Sequence, residues 1–255
     1  MQSTLDRLHQ WSCEWQLTIN HTKSNILHLG KTNYHHPYFI NGCQLSQAQV
    51  VTDLGVDIDN YLTYNAHVNK IVGKAYSRIG LLFKDFASRD AQILKQAYIT
   101  YIRPVLEYAS SVWSPYLLKH INAIERVQKQ FTRRIPSLSA LSYPERLAAM
   151  DLEPLELRRL KTDLILYYKC INNLVALPSD DYFCLSQRIS QTRSGGNRII
   201  RTSCNTNHFQ NDFFNRCLSC WNYLPNEVVN ASSLPCFKRL IANVDLSPFI
   251  HCSYL

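Results

Sequence analysis

Apolar side chains between residues 68 and 86 recur at Val68, Ile71, Val72, Ala75, Ile79, Leu82, Phe83 and Phe86. At about 100° per residue these positions share an arc of roughly 120°, which predicts an amphipathic helix. Lys70, Lys74, Arg78 and Lys84 take the opposite arc. The same period over 117–135 buries Ile121, Ile124, Val127, Phe131 and Ile135 and turns Lys119, Arg126, Lys129, Arg133 and Arg134 outward, with Pro136 as the stop. Between the two, Asp90 is placed to cap a helix reaching about Trp113. Pro104, which lacks a backbone N–H, should bend or break it. Tyr143-Pro-Glu-Arg-Leu147 starts a short helix, and a longer one runs from about Pro154, a proline in the favoured first turn, to about Val175. Two more helical pieces are predicted near 212–223 and 233–242.

The N-terminal stretch has a different rhythm. Residues 2–16 predict a helix, while Leu17–Ile19 and Ser24–Leu29 look like short strands around a polar turn. Tyr38–Ile40 and Cys43–Leu45 flank Asn41-Gly42, a pair suited to a type I′ hairpin turn. Val50-Val51 and Leu54–Ile58 complete a small sheet. Residues 178–207 are rich in Ser, Thr, Asn, Arg and Gly and predict a long irregular connection. The fold class is therefore α+β: a small sheet with a helix over 1–62, a mainly helical region over 63–177, an irregular connection over 178–210, and a helical tail over 211–255.

Composition narrows the class. The 255 residues suffice for one large domain or two modest ones, and 46% hydrophobic with 18% charged residues describes an ordinary globular protein. No apolar run reaches the roughly 18 residues of a membrane span. The N-terminus, with Gln2, Asp6, Arg7 and Gln10, does not read as a signal peptide. Nine irregularly spaced cysteines, an odd number, argue for a reduced intracellular protein, nuclear or cytoplasmic. The net charge of +8 is not spread evenly: residues 69–170 hold 17 Lys and Arg against 9 Asp and Glu, and the rest of the chain balances. A basic excess confined to one block is the footprint of a polyanion-binding surface, or of a solvated helical face.

Four constellations bear on chemistry. Asp53, Asp57 and Asp59 alternate in a strand-like stretch, an arrangement a two-metal site would need, although Gly55 favours a solvated strand end. Asp180-Asp181 read as a turn or cap pair. Cys204, His208, Cys217 and Cys220 have zinc-knuckle character in their last two members, but Leu218 and Trp221 beside them favour core cysteines. No Gly-X-Ser-X-Gly elbow and no phosphate-binding glycine loop occurs. The basic faces are the better candidates: Lys70, Lys74 and Arg78 form one stripe, and Arg126, Lys129, Arg133 and Arg134 a second, with Asp85 and Glu125 as diluting acids. Arg158, Arg159 and Lys161 are expected to pair within their own helix with acids such as Glu156, and Arg103 with Glu107. Trp11, Trp15, Trp113 and Trp221 are expected in the core.

The stretch Tyr101-Ile-Arg-Pro-Val-Leu-Glu-Tyr-Ala-Ser110, with Trp113 and Glu125-Arg-Val-Gln-Lys129, closely resembles the region behind the catalytic palm of reverse transcriptases from jockey-like non-LTR retrotransposons. Leu5-Asp-Arg-Leu-His-Gln-Trp-Ser12, Trp15–Asn20 with Lys23, Asp53-Leu-Gly-Val-Asp-Ile-Asp59, Leu155-Glu156, Phe213–Arg216 and Leu224-Pro225 extend the resemblance over about residues 1–242. It implies a palm remnant followed by a helical thumb-like region that grips an RNA template or RNA–DNA duplex, beside the N-terminal part of the polymerase and without a membrane. It also implies that Lys23 lies near the incoming triphosphate. The parent activity is RNA-directed DNA polymerisation with two magnesium ions. The family's Tyr/Phe-X-Asp-Asp box, which lies a short way before the segment that begins here at Met1, is not in this sequence. The chain alone is therefore expected to hold no cofactor, to be inactive, and to bind nucleic acid without sequence preference. The alternative is a decayed or host-adopted remnant acting as a protein-interaction module.

Overall fold

The computed structural model describes residues 1–177, 199–200 and 206–252, which fall into two compact units, Met1–Asn69 and Lys70–Leu255. The first opens with helix α1 (Gln2–Glu14). Gln16 then turns left-handed at φ 55°, and the N–H of Leu17 donates to the Ser12 carbonyl at 2.9 Å. That helix-closing bond takes Leu17–Ile19 out of the strand predicted there. The side chain of Asn20 caps a 3₁₀ turn at His21–Lys23.

Strand β1 (Asn25–Leu27) follows, then β2 (Phe39–Ile40) and β3 (Cys43–Gln44), joined by Asn41 and Gly42 at φ 50° and 70°. Two consecutive positive φ angles make the type I′ hairpin that Asn-Gly predicts. β1 pairs in parallel with β4 (Ser46–Ala48), and β5 (Val50–Asp53) pairs antiparallel with β6 (Val56–Asp59). Leu54 and Gly55, at φ 44° and 87°, are the turn between β5 and β6 and not the strand start expected from sequence. The strands therefore form three two-stranded ladders and not one sheet. Trp11 and Trp15 also depart from the core reading: they are 47% and 66% exposed on α1, with rings 6.4 Å apart.

Asp59 ends the strand region. Its carboxylate accepts from the N–H groups of Tyr61, Thr63 and Tyr64 and from Thr63 Oγ1, at 2.7–3.1 Å. Burial alone would raise its pKa, but the hydrogen bonds from Thr63, Tyr61 and Tyr64 outweigh it and hold the carboxyl below its usual range. Asp59→Ala is expected to destabilise the N-terminal unit by about 1–2 kcal/mol, as loss of a capping side chain does. A lowered folded pKa gives stability that is present above the unfolded value, about 3.9, and lost as pH falls through the folded one. Urea midpoints of the two proteins should therefore differ at pH 7 and converge towards pH 2; an equal difference at both would refute the assignment.

The described residues that follow are mainly helical, giving an α+β fold with a mainly helical second part. α2 (Asn65–Asp85) precedes α3 (Ala91–Ala97), whose first N–H groups are capped by the Asp90 side chain at 2.9 and 3.0 Å. A wide π-helical turn at Tyr98–Ile102 leads into α4 (Arg103–Glu107), so that Pro104 occupies a first-turn position needing no N–H. The run stops at Glu107, short of the expected Trp113, because Ala109 is left-handed at φ 51°. α5 (Ser110–Trp113), α6 (Leu118–Arg133), α7 (Tyr143–Ala149) and α8 (Leu155–Ile171) follow, then α9 (Asn207–Gln210), α10 (Phe213–Tyr223), α11 (Asn226–Val229) and α12 (Leu234–Ile241). The Phe131 ring lies 4.6 Å from Tyr98 and 5.8 Å from Phe83, joining α2, the π turn and α6. A second cluster surrounds Trp221, which packs on Tyr167 at 5.3 Å and Phe237 at 6.0 Å. Trp113 and Trp221 are fully buried, as the sequence predicts.

Candidate nucleic-acid interface

The Phe83–Phe131 contact sets α2 and α6 side by side, so their basic stripes occupy neighbouring elements. Lys70 and Lys74 are exposed on α2, and Arg126 is exposed on α6. Arg126 lies close enough to Tyr76 of α2 to oppose the rise that burial imposes on that phenol. These three cations face solvent around one helix pair. Arg78, Arg134 and Lys129 of the predicted set also make contacts within the protein. Arg78 is half-buried and donates to the Tyr101 carbonyl. The Arg134 guanidinium stacks 4.3 Å over Phe83, and Lys129 Nζ stands 5.9 Å over Tyr143. Arg133 is exposed at the end of α6.

Glu125, expected to dilute this surface, does not reach it. It is fully buried, with one carboxylate oxygen accepting from the Tyr143 hydroxyl and the other from the Leu155 N–H at 2.9 Å. Burial pushes its pKa up; the Tyr143 hydrogen bond and the neighbouring Arg159 pull against that. Gln128, one turn on, is also fully buried: its Oε1 accepts from Tyr98 at 2.8 Å, and its Nε2 donates to Tyr143 Oη at 3.1 Å and to the Glu153 carbonyl at 3.0 Å. The Glu125-Arg-Val-Gln-Lys129 stretch thus alternates function around one helix. Glu125, Val127 and Gln128 point inward, and Arg126 points outward.

Glu156, with Glu125, favours the charge on the buried Arg159, while the other two basic residues named on α8 have other partners. Arg158 pairs with Glu107 and Lys161 with Glu153. Glu156 also accepts from the backbone N–H groups of His251 and Cys252 at 3.0 and 2.8 Å, tying the C-terminal segment to α8. Arg103 does approach Glu107, at 3.7 Å. Asp163 pairs with Arg216 at 3.0 Å, beside a cavity of about 200 Å³.

The carboxylates proposed for metal do not fit it. Asp53 and Asp57 lie on different strands, Asp57 is buried and accepts from Thr52 Oγ1 at 2.7 Å, and Asp59 is engaged by the four donors described above. Among the described residues no group of three His, Cys, Asp or Glu side chains is arranged to hold an ion. Of the zinc candidates, Cys204 lies outside the described residues, as do Asp180 and Asp181. His208 is exposed on α9, and Cys217 and Cys220 are buried in α10, where burial pushes the Cys220 thiol up to about 12. Such a thiol is a neutral core group at pH 7. Lys23 is exposed at the end of its 3₁₀ turn. No described helix is long and apolar enough to cross a membrane.

No protein-family model matches the chain, and no solved structure matches it. An uncharacterized protein of Caenorhabditis elegans is 24% identical over 131 residues, 50% of this chain and 66% of that protein. The RNA-directed DNA polymerase from mobile element jockey of Drosophila melanogaster is 26% identical over 139 residues, 53% of this chain and 15% of the polymerase. The probable RNA-directed DNA polymerase from transposon X-element of the same fly is 26% identical over 133 residues, again 15% of its length. Over about half of its length, this chain is similar in sequence to RNA-directed DNA polymerases of jockey and X-element mobile elements.

Proposed function

We propose that this chain is a thumb-like part of an RNA-directed DNA polymerase, that it binds RNA or RNA–DNA duplex through the strand backbones, and that it does not polymerise by itself. The observation that carries the reading is the α2–α6 pair, which presents Lys70, Lys74 and Arg126 to solvent while turning Glu125 inward. Cations on a smooth helical surface contact phosphates and leave base edges unread, so affinity should be independent of sequence. Catalysis is assigned elsewhere because the sequence holds no Tyr/Phe-X-Asp-Asp box and the Asp57 and Asp59 carboxylates are engaged by Thr52 and by the turn at Tyr61–Tyr64. The test is a salt titration of binding to RNA–DNA hybrids of two unrelated sequences. Each phosphate contact contributes about 0.9 to the slope of log K against log salt, so three to four contacts should give a slope of about −3 to −4 for both hybrids. A slope near zero, or a strong preference for one hybrid, would overturn the proposal.

A second reading, a protein-docking module, draws on the exposed Leu8, Trp11, Trp15 and Leu17 at the end of α1. Apolar association there would be insensitive to salt, which separates it from the first reading.

A further inference from the structure

The joint between α6 and α7 holds an open cavity of about 440 Å³, lined among others by Lys129, Arg133, Tyr143 and Arg146. Three of these are cations, and no Asp or Glu is among the described lining residues. Arg146 was read from sequence only as part of a short helix, yet it is the most constrained of the three. It is 4% exposed, its Nε donates to Thr132 Oγ1 at 3.0 Å, its Nη1 donates to the Leu141 carbonyl, and its guanidinium lies 5.6 Å over the Tyr143 ring. Lys129 Nζ lies 5.9 Å from the same ring. No carboxylate pairs with Arg146 among the described residues.

Burying a cation is costly, and the usual compensation is an acidic partner. Here the neighbours in the cavity are further cations, with Arg133 close enough to disfavour the charge on Arg146. The cavity therefore carries a positive field, with the Glu145 carboxylate beside it committed to the Ser142 N–H at 2.7 Å. The guanidinium is already locked by two hydrogen bonds and a ring face, so little ordering remains to be lost when an anion arrives. A fork-shaped guanidinium beside a point-charge ammonium suits a tetrahedral oxyanion.

We propose that this cavity seats a single backbone phosphate of a bound nucleic-acid strand, with Arg146 as the fixed element and Lys129 and Arg133 as the gripping ones. The choice of a nucleic-acid phosphate rests on the proposed function; Lys129 and Arg133 belong to the α6 stripe, and Arg146 of α7 is the element that reading does not include.

The experiment follows the ¹⁵N-labelled Arg Nε–H and backbone signals of the whole chain during three titrations at constant ionic strength. The probes are inorganic phosphate, a dinucleotide whose only phosphate is its phosphodiester, and chloride as control. Both phosphates are expected to move the signals of Arg133, Ser142 and Arg146, and chloride is not. Arg133→Glu, at an exposed position, should raise the half-saturating phosphate concentration at least about tenfold. The Lys74→Glu/Arg126→Glu protein should respond like wild type even if it has lost duplex binding, so the seat and the wider surface fail independently. Silence to both phosphates would overturn the seat, and a response to inorganic phosphate alone would overturn its nucleic-acid occupant.

Discussion

Gln128→Ala will lower the unfolding free energy by about 3–5 kcal/mol, a loss of the size expected where a buried network is broken and a cavity opened. The side chain holds three polar groups from three parts of the chain: the Tyr98 hydroxyl, the Tyr143 hydroxyl and the Glu153 carbonyl. All are inside the protein or at its inner edge, so alanine takes a partner from each while opening a cavity, and the Tyr143 hydroxyl keeps its bond to Glu125. An unsatisfied buried group costs about 1–3 kcal/mol, and the cavity adds to that. Gln128→Leu separates the two causes, because it refills the volume but restores no hydrogen bond. If the network is what matters, leucine should remain destabilised by more than about 2 kcal/mol. Urea midpoints at pH 7 decide it, and a leucine protein close to wild type would show that Gln128 only fills space. The Tyr143 hydroxyl also bonds Glu125, so damage at Gln128 should spread to the Glu125–Arg159 pair and make the two sites non-additive.

The helices were legible because their apolar positions repeat at a helical period, and Asn41-Gly42 was legible because few residue pairs accept two positive φ angles. What escaped reading was mostly residue type overruling position. Ile121, Ile124, Glu125, Gln128, Phe131 and Thr132 lie three or four apart on the buried side of α6, so spacing alone places Glu125 and Gln128 inside. The sequence reading puts Glu125 among the surface acids and gives Gln128 no place, because charged and amide side chains seldom go inside without partners, and the partners are supplied by Tyr98, Tyr143 and Leu155, distant in sequence. Arg146 repeats the case: with Tyr143, Leu147 and Met150 it follows the inner face of α7. Trp11 and Trp15 err in the other direction, since an aromatic type suggests burial and only packing determines it. The π turn before Pro104 has no sequence signal beyond the proline itself.

Because Glu125 points inward, the charge facing solvent on the α2–α6 pair is more one-sided than the sequence suggests, and charge reversal there should have a large effect. Lys74→Glu/Arg126→Glu replaces two exposed cations and should weaken RNA–DNA hybrid binding about 100-fold or more at roughly 50 mM salt, while reducing the salt slope by about 2. The fold should survive, since both positions are exposed and the residues buried beneath them, Ile71, Ala75 and Val127, are untouched. Net charge alone would also weaken binding, so the comparison must hold it constant. Lys238→Glu/Arg239→Glu reverses two exposed cations on α12, outside the basic block, and changes the total charge by the same amount. That control should stay within about threefold of wild type, because neither residue belongs to the proposed contact and a charge outside it contributes only through the screened field. Equal losses in the two proteins would mean that binding follows the overall charge and not a surface. An unchanged Lys74→Glu/Arg126→Glu protein would remove α2 and α6 from the interface altogether.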